Sequence, residues 1–245
     1  MPILEGQGVS KYFGGLAAVS DVDFRIEQGE ILGLIGPNGA GKTTLFNLIS
    51  AALALSSGEI RFKSQKINGL KPHKICQMGI ARTFQETKIF ADMPVFQNVL
   101  VGASFGTPNR LSQADAANIA NQAVEFAGLS EMSALPAKDL TLGYQKRVEV
   151  ARALATKPEV LLLDELMAGL NPTEVSGAME LVTRIRDTGI TIFMVEHVMK
   201  AIMGICGRII VLHHGEKIAV GTPQEIAANK KVIEIYLGEE AHAGG

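Results

Sequence analysis

A glycine-rich segment directly behind an apolar run constrains this chain more than any other feature. The segment reads Gly36-Pro37-Asn38-Gly39-Ala40-Gly41-Lys42-Thr43-Thr44 and follows the run Ile-Leu-Gly-Leu-Ile at 31–35. It fits the pattern of a glycine, any four residues and then Gly-Lys-Ser/Thr. Glycines let successive backbone N–H groups turn toward a phosphate, Lys42 can reach the β- and γ-phosphates, and the Thr43 hydroxyl can bind Mg²⁺. The segment therefore predicts a strand, a phosphate-binding loop and a helix, although alone it could also be a turn without a ligand.

The composition is that of a large globular domain. The 245 residues are enough to bury a sizeable core. The net charge of −2 argues against a surface dominated by nucleic-acid binding. The two cysteines, Cys76 and Cys206, have no metal-ligand spacing, so we expect both to be reduced. Because the sequence shows no signal segment and no apolar run of about 18 residues, we expect any membrane role to come through a partner.

Apolar strands that alternate with helices predict an α/β fold with a largely parallel sheet. The antiparallel start and the helical stretch 87–156 are expected to be additions to that core. The patterns predict strands at 2–9, 18–27, 31–35, 60–62, 160–163 and 190–195, helices at 42–53, 72–78, 94–104, 113–128, 143–156 and 173–187, and then a short helix, two strands near 207–220 and two terminal helices.

Two carboxylates end one of the buried strands. The apolar run 160–163 is followed by Asp164 and Glu165. Ligands bind at the carboxyl ends of parallel strands. Asp164 is placed to hold Mg²⁺, directly or through water, and Glu165 is placed to polarise an attacking water. An acidic surface turn is the structural alternative.

A predicted helix precedes that strand and starts close to Thr141 and Gly143. The backbone N–H groups at such a start can bind an anion. Taken alone, residues 140–154 could equally be an amphipathic helix with an ordinary N-cap.

Further candidates lie outside these motifs. Gln85 ends a strand-like run and can bind Mg²⁺ or the attacking water. His197 follows another apolar strand and can donate a hydrogen bond to a γ-phosphate. Tyr12 lies ahead of the first core strand and can stack on adenine. The structural alternatives are a surface glutamine, a structural histidine and a core tyrosine.

In this order the motifs resemble the ATP-binding subunit of ABC transporters over about residues 3–238. The resemblance implies a P-loop NTPase (RecA-like) core with an antiparallel β subdomain and an inserted α-helical subdomain. The core and β subdomain would cover about 1–86 and 157–238, the helical subdomain about 87–156, and a tail 239–245. The implied motifs are Gly36 to Thr43 as Walker A, Gln85 as the Q-loop residue, Leu140 to Tyr144 as the signature motif, Asp164 and Glu165 as the end of Walker B, Ala168 to Asn171 as the D-loop and His197 as the switch histidine.

The segments 79–85 and 221–239 narrow the resemblance to the ATPase subunits of branched-chain amino acid importers, of the LivG type. The lipopolysaccharide-export ATPase shares the C-terminal ending and is the nearest alternative. Two departures from the family pattern stand out. The signature has Thr141, Leu142 and Tyr144 where Ser, Gly and Gln are usual, and Leu166 follows Glu165 where Pro is usual. Thr141 keeps the hydroxyl, whereas Leu166 frees the backbone and leaves the direction of Glu165 open.

The resemblance implies an ATPase that pairs with a second ATPase subunit, identical or similar, so that the signature motif of one completes the ATP site of the other. ATP and Mg²⁺ would close the pair and hydrolysis would let it open. The implied partners are two membrane-spanning permease subunits and, indirectly, an extracytoplasmic substrate-binding protein, with no nucleic acid. The chain would lie peripherally at the cytoplasmic face of the inner membrane. Residues 86–100, including Phe90, Pro94 and Phe96, are the expected exposed apolar docking segment.

Two other classes of protein share the phosphate-binding loop. One is a soluble ABC-type ATPase acting on ribosomes or DNA, which usually carries two cassettes or a long coiled-coil insertion. The other is a P-loop kinase of small molecules, which has no use for the signature helix and the D-loop.

Overall fold

The computed structural model describes residues 1–109 and 111–243, with side chains described through Tyr236. The chain divides into two compact units: Met1–Leu70 together with the residues from Thr191 onward, and Lys71–Ile190. The strands are β1 (Leu4–Phe13), β2 (Leu16–Ile26), β3 (Ile31–Ile35), β4 (Ser57–Phe62), β5 (Gln65–Lys66), β6 (Ile80–Arg82), β7 (Val160–Asp164), β8 (Thr191–Val195), β9 (Arg208–His213) and β10 (Glu216–Gly221). The α-helices are α1 (Lys42–Ile49), α2 (Pro72–Met78), α3 (Val95–Phe105), α4 (Gln113–Phe126), α5 (Leu142–Leu154), α6 (Pro172–Asp187), α7 (Met199–Ile205), α8 (Pro223–Ala227) and α9 (Lys230–Ala243).

The first unit contains the predicted antiparallel sheet, with strand order β2-β1-β4-β5. In β2 the buried residues Val22, Phe24 and Ile26 alternate with exposed polar ones, as expected of a sheet with one face toward a core. Strand β1 runs on to Phe13, four residues beyond the predicted end, because it forms a hairpin in which Phe13 pairs with Leu16. The two-residue strand β5 is too short for a periodic pattern and was not predicted.

The first unit also contains strands in the order β10-β9-β3-β8, of which β9, β3 and β8 are parallel. Every residue of β3 and β8 is buried, which explains why both read as continuous apolar runs. Helix α1 follows β3 and ends at Ile49, not at the predicted residue 53. Ala51 has a φ of 56°, and a residue in this left-handed conformation cannot continue an α-helix.

The second unit contains the parallel pair β6–β7 and the predicted helical insertion. Helix α6 begins at a capping box in which Asn171 and Glu174 exchange hydrogen bonds. Helices α3, α4 and α5 share one apolar core, whose buried members include Val95, Val99, Ala116, Ala120, Val124, Leu129, Val148 and Ala151.

The C-terminal helix reaches into the segment that was predicted to be a tail. The backbone of α9 is helical through Ala243, whereas Gly244 and Gly245 lie outside the described residues. Within the described part of the chain, no helix combines the length and apolar character needed to cross a membrane.

Candidate functional site

The phosphate-binding loop joins β3 to α1 and is packed so closely that two of its glycines have no room for a side chain. A Cβ at Gly36 would lie 2.2 Å from the Leu212 carbonyl oxygen, and one at Gly41 would lie 2.3 Å from that of Ala18. The φ values of 154° and 99° at these glycines are ones that other residues rarely adopt. At Gly39, by contrast, no atom lies within 4 Å of the Cβ position. The loop is therefore anchored at both ends and open at Gly39, as a phosphate cradle requires.

Lys42 lies within this loop. Its Nζ donates to the carbonyl oxygens of Gly36, at 2.6 Å, and of Pro37, at 2.9 Å. The residue is buried, whereas Thr43 is exposed in the first turn of α1. Because an anionic oxygen is a stronger acceptor than a carbonyl, this ammonium can be redirected to a phosphate.

His197 lies at the same edge of the sheet as the loop. In the parallel pairing of β3 with β8, Leu34 is in register with Val195. Glu196 and His197 therefore leave the sheet at the edge where Gly36 leaves it. The side chain of Glu196 is buried, and His197 is exposed. The first unit thus brings two of the predicted site elements to adjacent strand ends.

Tyr12 is on the surface of the β1–β2 hairpin. It pairs with Ala17 across the hairpin, and 46% of the residue is exposed. Its backbone N–H donates to Ser56 Oγ at 3.0 Å. The core-packing alternative for Tyr12 is therefore wrong, and its ring is accessible for stacking.

In the second unit, the carboxyl ends of β6 and β7 bring Gln85 and Glu165 together. The two strands are parallel, with Arg82 in register with Leu162. Gln85 Nε2 donates to Glu165 Oε2 at 3.0 Å. With the amide nitrogen used in this way, the atom that Gln85 can offer to a metal is Oε1.

The backbone of Glu165 has a special conformation. Its φ is 51°, a left-handed value that residues other than glycine keep only where their surroundings enforce it. Lys146 Nζ donates to the Glu165 carbonyl oxygen at 2.8 Å, and both residues are buried. Leu166, which stands where the family pattern has Pro, is buried as well. The direction of Glu165 is thus set by Lys146 at its backbone and by Gln85 at its carboxylate.

Asp164 is engaged by Arg82. Arg82 Nη2 lies 2.8 Å from Asp164 Oδ2, and the Asp164 backbone N–H donates to Thr83 Oγ1 at 3.2 Å. The carboxylate expected to hold Mg²⁺ is thus oriented by a guanidinium from the neighbouring strand.

Helix α5 starts at the solvent-exposed signature segment. Thr141 is its N-cap, but the hydroxyl makes no capping hydrogen bond. Leu142 and Tyr144, which depart from the family pattern, are also exposed. The Thr141 hydroxyl therefore does not occupy the first-turn N–H groups. The predicted contact of Thr141 and Gly143 with an anion requires such uncapped groups.

A groove of about 550 Å³ runs along the segment after Gln85. Phe84 and Phe90 on this groove are exposed, as predicted for Phe90. The prediction that Pro94 and Phe96 are exposed is wrong, because both are half-buried. Phe96 lies in the first turn of α3 and packs against the helical core. The groove is lined by Phe84, Lys88, Ile89, Phe90, Val101 and Arg152.

Two charged residues of α5 hold the backbone of Lys88 in this segment. Its N–H donates to Glu149 Oε1 at 2.7 Å, and its carbonyl accepts from Arg152 Nη2. Burial raises the pKa of the Glu149 carboxyl and lowers the pKa of the Arg152 guanidinium. Both groups are thus held in an environment that disfavours their charges.

No sequence motif assigned a role to Lys146, Glu149 or Arg152. Their side chains recur at every third position of a predicted helix that also carries buried apolar residues. A charged row of this kind on a packed helix is the signal that could have identified them.

Comparisons with known proteins agree over most of the chain. The ABC transporter family matches residues 19–168, and the branched-chain amino acid ATP-binding cassette transporter family matches residues 216–242. The chain is 41% identical to the high-affinity branched-chain amino acid transport ATP-binding protein LivG of Escherichia coli (strain K12). It is 39% identical to the corresponding protein BraF of Pseudomonas aeruginosa. Each alignment covers 97% of this chain and 98% of the relative.

A more distant relative is the lipopolysaccharide export system ATP-binding protein LptB of Haemophilus influenzae, at 32% identity over 98% of this chain and 99% of that protein. Among solved structures, the ADP conformation of an ATP-binding cassette of an ABC transporter superposes with a TM-score of 0.89 at 30% identity, covering 97% of this chain and 99% of that one. This likeness confirms the predicted fold class.

Proposed function

The chain belongs to the ATP-binding cassette family of ABC transporters, and on that premise we propose that it is the ATPase subunit of an importer for branched-chain or related amino acids. The substrate class is supported by the likeness to LivG and BraF and by the match at residues 216–242. Lipopolysaccharide export is less well supported, because the identity to LptB is lower.

The phosphates of ATP bind to the loop that begins at Gly36. The crowding at Gly36 and Gly41 and the open space at Gly39 support this assignment. Lys42 supplies the positive charge, and the exposed ring of Tyr12 stacks on adenine. The nucleotide-binding residues are Tyr12, Gly36, Pro37, Asn38, Gly39, Ala40, Gly41, Lys42, Thr43 and Thr44.

Thr43, Gln85 and Asp164 are the residues that would hold Mg²⁺. A hydroxyl, an amide oxygen and a carboxylate are the hard oxygen ligands that this ion prefers, so the donor set fits the metal. When bound, the ion neutralises negative charge on the phosphates. Arg82 keeps Asp164 oriented, since the two side chains form an ion pair at 2.8 Å.

Glu165 is the general base that polarises the attacking water. The observation that carries this assignment is the 3.0 Å hydrogen bond from Gln85 Nε2 to Glu165 Oε2, which orients the carboxylate. The adjacent Asp164 is assigned to the metal, so the two neighbouring acids have separate roles. His197 donates a hydrogen bond to the γ-phosphate, and Lys42 stabilises the charge that develops there.

The working assembly contains a second ATPase subunit, identical or similar, two membrane-spanning permease subunits and, indirectly, an extracytoplasmic substrate-binding protein. Thr141 and Gly143 complete the ATP site of the second subunit. The exposed start of α5 supports this role. The groove that contains Phe84 and Phe90 receives the permease. This places the chain peripherally at the cytoplasmic face of the inner membrane, without a nucleic-acid partner.

Hydrolysis by the purified chain tests the catalytic assignment. Lys42→Ala should weaken ATP binding and abolish turnover. Glu165→Gln should still bind ATP, but its turnover should fall by about 10²-fold or more, as expected for the loss of a general base. An ATP-stabilised pair should then accumulate on size exclusion. Turnover at the wild-type rate in Glu165→Gln would assign the base to another group.

Uptake in the source organism tests the substrate class. Deletion of this chain should lower the uptake of labelled leucine, isoleucine or valine. Expression of the wild-type chain should restore that uptake. The matched control is Lys42→Ala, which should be present at the same level and fail to restore it. Unchanged uptake of all three amino acids together with a defect in lipopolysaccharide export would support the LptB-like alternative.

A further inference from the structure

Three charged residues form a row on α5, at Lys146, Glu149 and Arg152. The spacing of three residues places them along one side of the helix, each about one turn from the next. Lys146 and Glu149 lie between apolar positions of a packed helix, and although both are charged they are buried, at 5% and 3% exposure. Charged side chains are rarely buried unless they have specific partners, so the partners of this row indicate its purpose.

The first partner is the peptide that follows β7. Lys146 Nζ donates to the carbonyl oxygen of Glu165, whose φ of 51° is a strained value for a residue with a side chain. A charged donor at this carbonyl fixes the peptide plane from which the Glu165 side chain departs. Gln85 then fixes the carboxylate itself.

The second partner is the peptide segment that follows β6. Glu149 accepts from the Lys88 N–H, and Arg152 donates to the Lys88 carbonyl, so both polar groups of one backbone residue are held by α5. Lys88 is three residues beyond Gln85, and it lines the same groove as Phe90. The row therefore holds the loops that follow both strands of the β6–β7 pair.

We propose that the row Lys146–Glu149–Arg152 positions Glu165 and the segment after Gln85 as one unit, with Lys146 as a positioning residue for Glu165. The inference rests on the proposed role of Glu165 as the base. Any displacement of the Lys88 segment is transmitted to α5 through Glu149 and Arg152, and from α5 to Glu165 through Lys146. Docking at the groove thereby reaches the group that polarises water.

Steady-state ATP hydrolysis by the full chain tests the link to Glu165. Lys146→Met should lower kcat by about tenfold or more, because a misplaced catalytic group costs rate, and leave KM for ATP little changed. Lys146→Arg keeps a donor and should restore most of kcat. The control is Lys138→Met, which removes an ammonium that pairs with the exposed Asp92 and should not change kcat.

The Glu165→Gln background separates positioning from general damage. If Lys146 acts through the Glu165 carboxylate, Lys146→Met causes no further fall in turnover in that background, because the two losses are not additive. An equal fold-loss in both backgrounds would overturn the proposal, as would an unchanged kcat in Lys146→Met. If Glu165→Gln itself turns over normally, the assignment of the base fails. An inactive Glu165→Gln beside a fully active Lys146→Met overturns only the positioning role.

Hydrogen exchange at the Lys88 amide tests the link to the groove. Glu149→Leu removes the acceptor and should speed exchange at Lys88, and it should lower kcat in the wild-type background but not in Glu165→Gln. Glu149→Gln keeps an acceptor oxygen and should exchange nearly as slowly as the wild type. Wild-type exchange at Lys88 in Glu149→Leu, or an unchanged kcat in that variant, would show that α5 does not couple the two loops.

Discussion

Arg82 Nη2 lies 2.8 Å from Asp164 Oδ2, in an ion pair whose side chains are 7% and 0% exposed to solvent. Such a pair is costly to bury, and the loss of one member is strongly destabilising, because it takes compensating charge away from the other in a low dielectric. Asp164 is also the residue proposed to hold Mg²⁺. The guanidinium and the metal would therefore supply positive charge to the same carboxylate.

Replacement of Arg82 should make stability depend on Mg²⁺. Arg82→Gln should lower the free energy of unfolding in EDTA by about 3 kcal/mol, as for a broken buried pair. Added Mg²⁺ and ATP should recover more stability in the variant than in the wild type, since binding to the folded state stabilises it. Urea unfolding with EDTA or with Mg²⁺ and ATP measures both effects.

Arg186→Gln is the matched control, because Arg186 pairs with Asp187 at the surface. Arg186→Gln should change the free energy of unfolding by no more than about 0.5 kcal/mol, both in EDTA and with Mg²⁺ and ATP. An equal gain from Mg²⁺ and ATP in Arg82→Gln and in the wild type would argue that the metal does not bind near Asp164.

Asn98 should strongly stabilise the conformation of the proposed docking segment, although no sequence motif indicated this residue. The residue is fully buried. Its Oδ1 accepts from the Phe90 N–H at 2.8 Å, and its Nδ2 donates to the carbonyl oxygens of Phe90, Met93 and Pro94 at 3.0 to 3.2 Å. Asn98→Ala should cost about 2–3 kcal/mol, since it leaves buried backbone groups unsatisfied. Urea unfolding measures this loss of stability. The control is Gln97→Ala, at the exposed neighbouring position, which should cost far less. Equal losses in the two variants would contradict the role assigned to Asn98.

The raised pKa of the Glu149 carboxyl predicts that stability depends on pH. Burial raises the pKa of its carboxyl above the ordinary 4.5, against the opposing effects of the Lys88 N–H and Arg152. As pH rises through the ordinary value, the unfolded chain releases this proton before the folded chain does, so the wild type loses stability until the folded carboxyl ionises as well. Glu149→Gln does not titrate. Its stability relative to the wild type should therefore rise with pH in this window and be constant above it.

Glu225 is a control whose pKa is shifted in the opposite direction from that of Glu149. Hydrogen bonds from the Thr222 backbone and hydroxyl lower the pKa of its carboxyl. Its contribution is present above the ordinary pKa and is lost as pH falls through the folded pKa, so Glu225→Gln should become less stable relative to the wild type as pH rises. Unfolding free energies from about pH 2 to about pH 8 measure both slopes, because the Glu225 slope lies below the ordinary pKa and the Glu149 slope above it. Slopes of the same sign would contradict the assigned causes.

The parts of the fold that depend on local sequence could be predicted. Strand β3 and the loop from Gly36 onward follow from an apolar run and a glycine pattern, both of which act over a few residues. The end of α1 could not be predicted, because it depends on the φ of Ala51, and nothing in the residue type of alanine indicates a left-handed conformation.

The direction of Glu165 shows the same limit at the site. The sequence predicts that Glu165 follows an apolar strand. It does not predict the direction of the Glu165 side chain, because Leu166 replaces the usual Pro after it. The groups that orient it come from Lys146, 19 residues earlier, and from Gln85, 80 residues earlier. Periodicity reports which face of an element is apolar, but it does not report which distant side chain meets a given carbonyl.

Phe90 and Phe96 should respond differently to the same substitution, because Phe90 is exposed on the groove and Phe96 is half-buried away from it. Phe90→Glu should leave ATP affinity intact and change the free energy of unfolding by no more than about 0.5 kcal/mol, as for a surface position. Phe96→Glu puts a charge against the helical core and should cost about 2 kcal/mol.

Turnover with the membrane subunits tests whether the groove is the docking surface. Association with the permeases should raise ATP hydrolysis above that of the isolated chain, and Phe90→Glu should cut this increase, since it places a charge where an apolar side chain would be buried. Phe105→Glu is the matched control, because Phe105 is 75% exposed and does not line the groove, and its increase should equal that of the wild type. A full increase in Phe90→Glu would place the docking surface elsewhere. A loss in both variants would mean that charge alone, and not the groove, weakens the assembly.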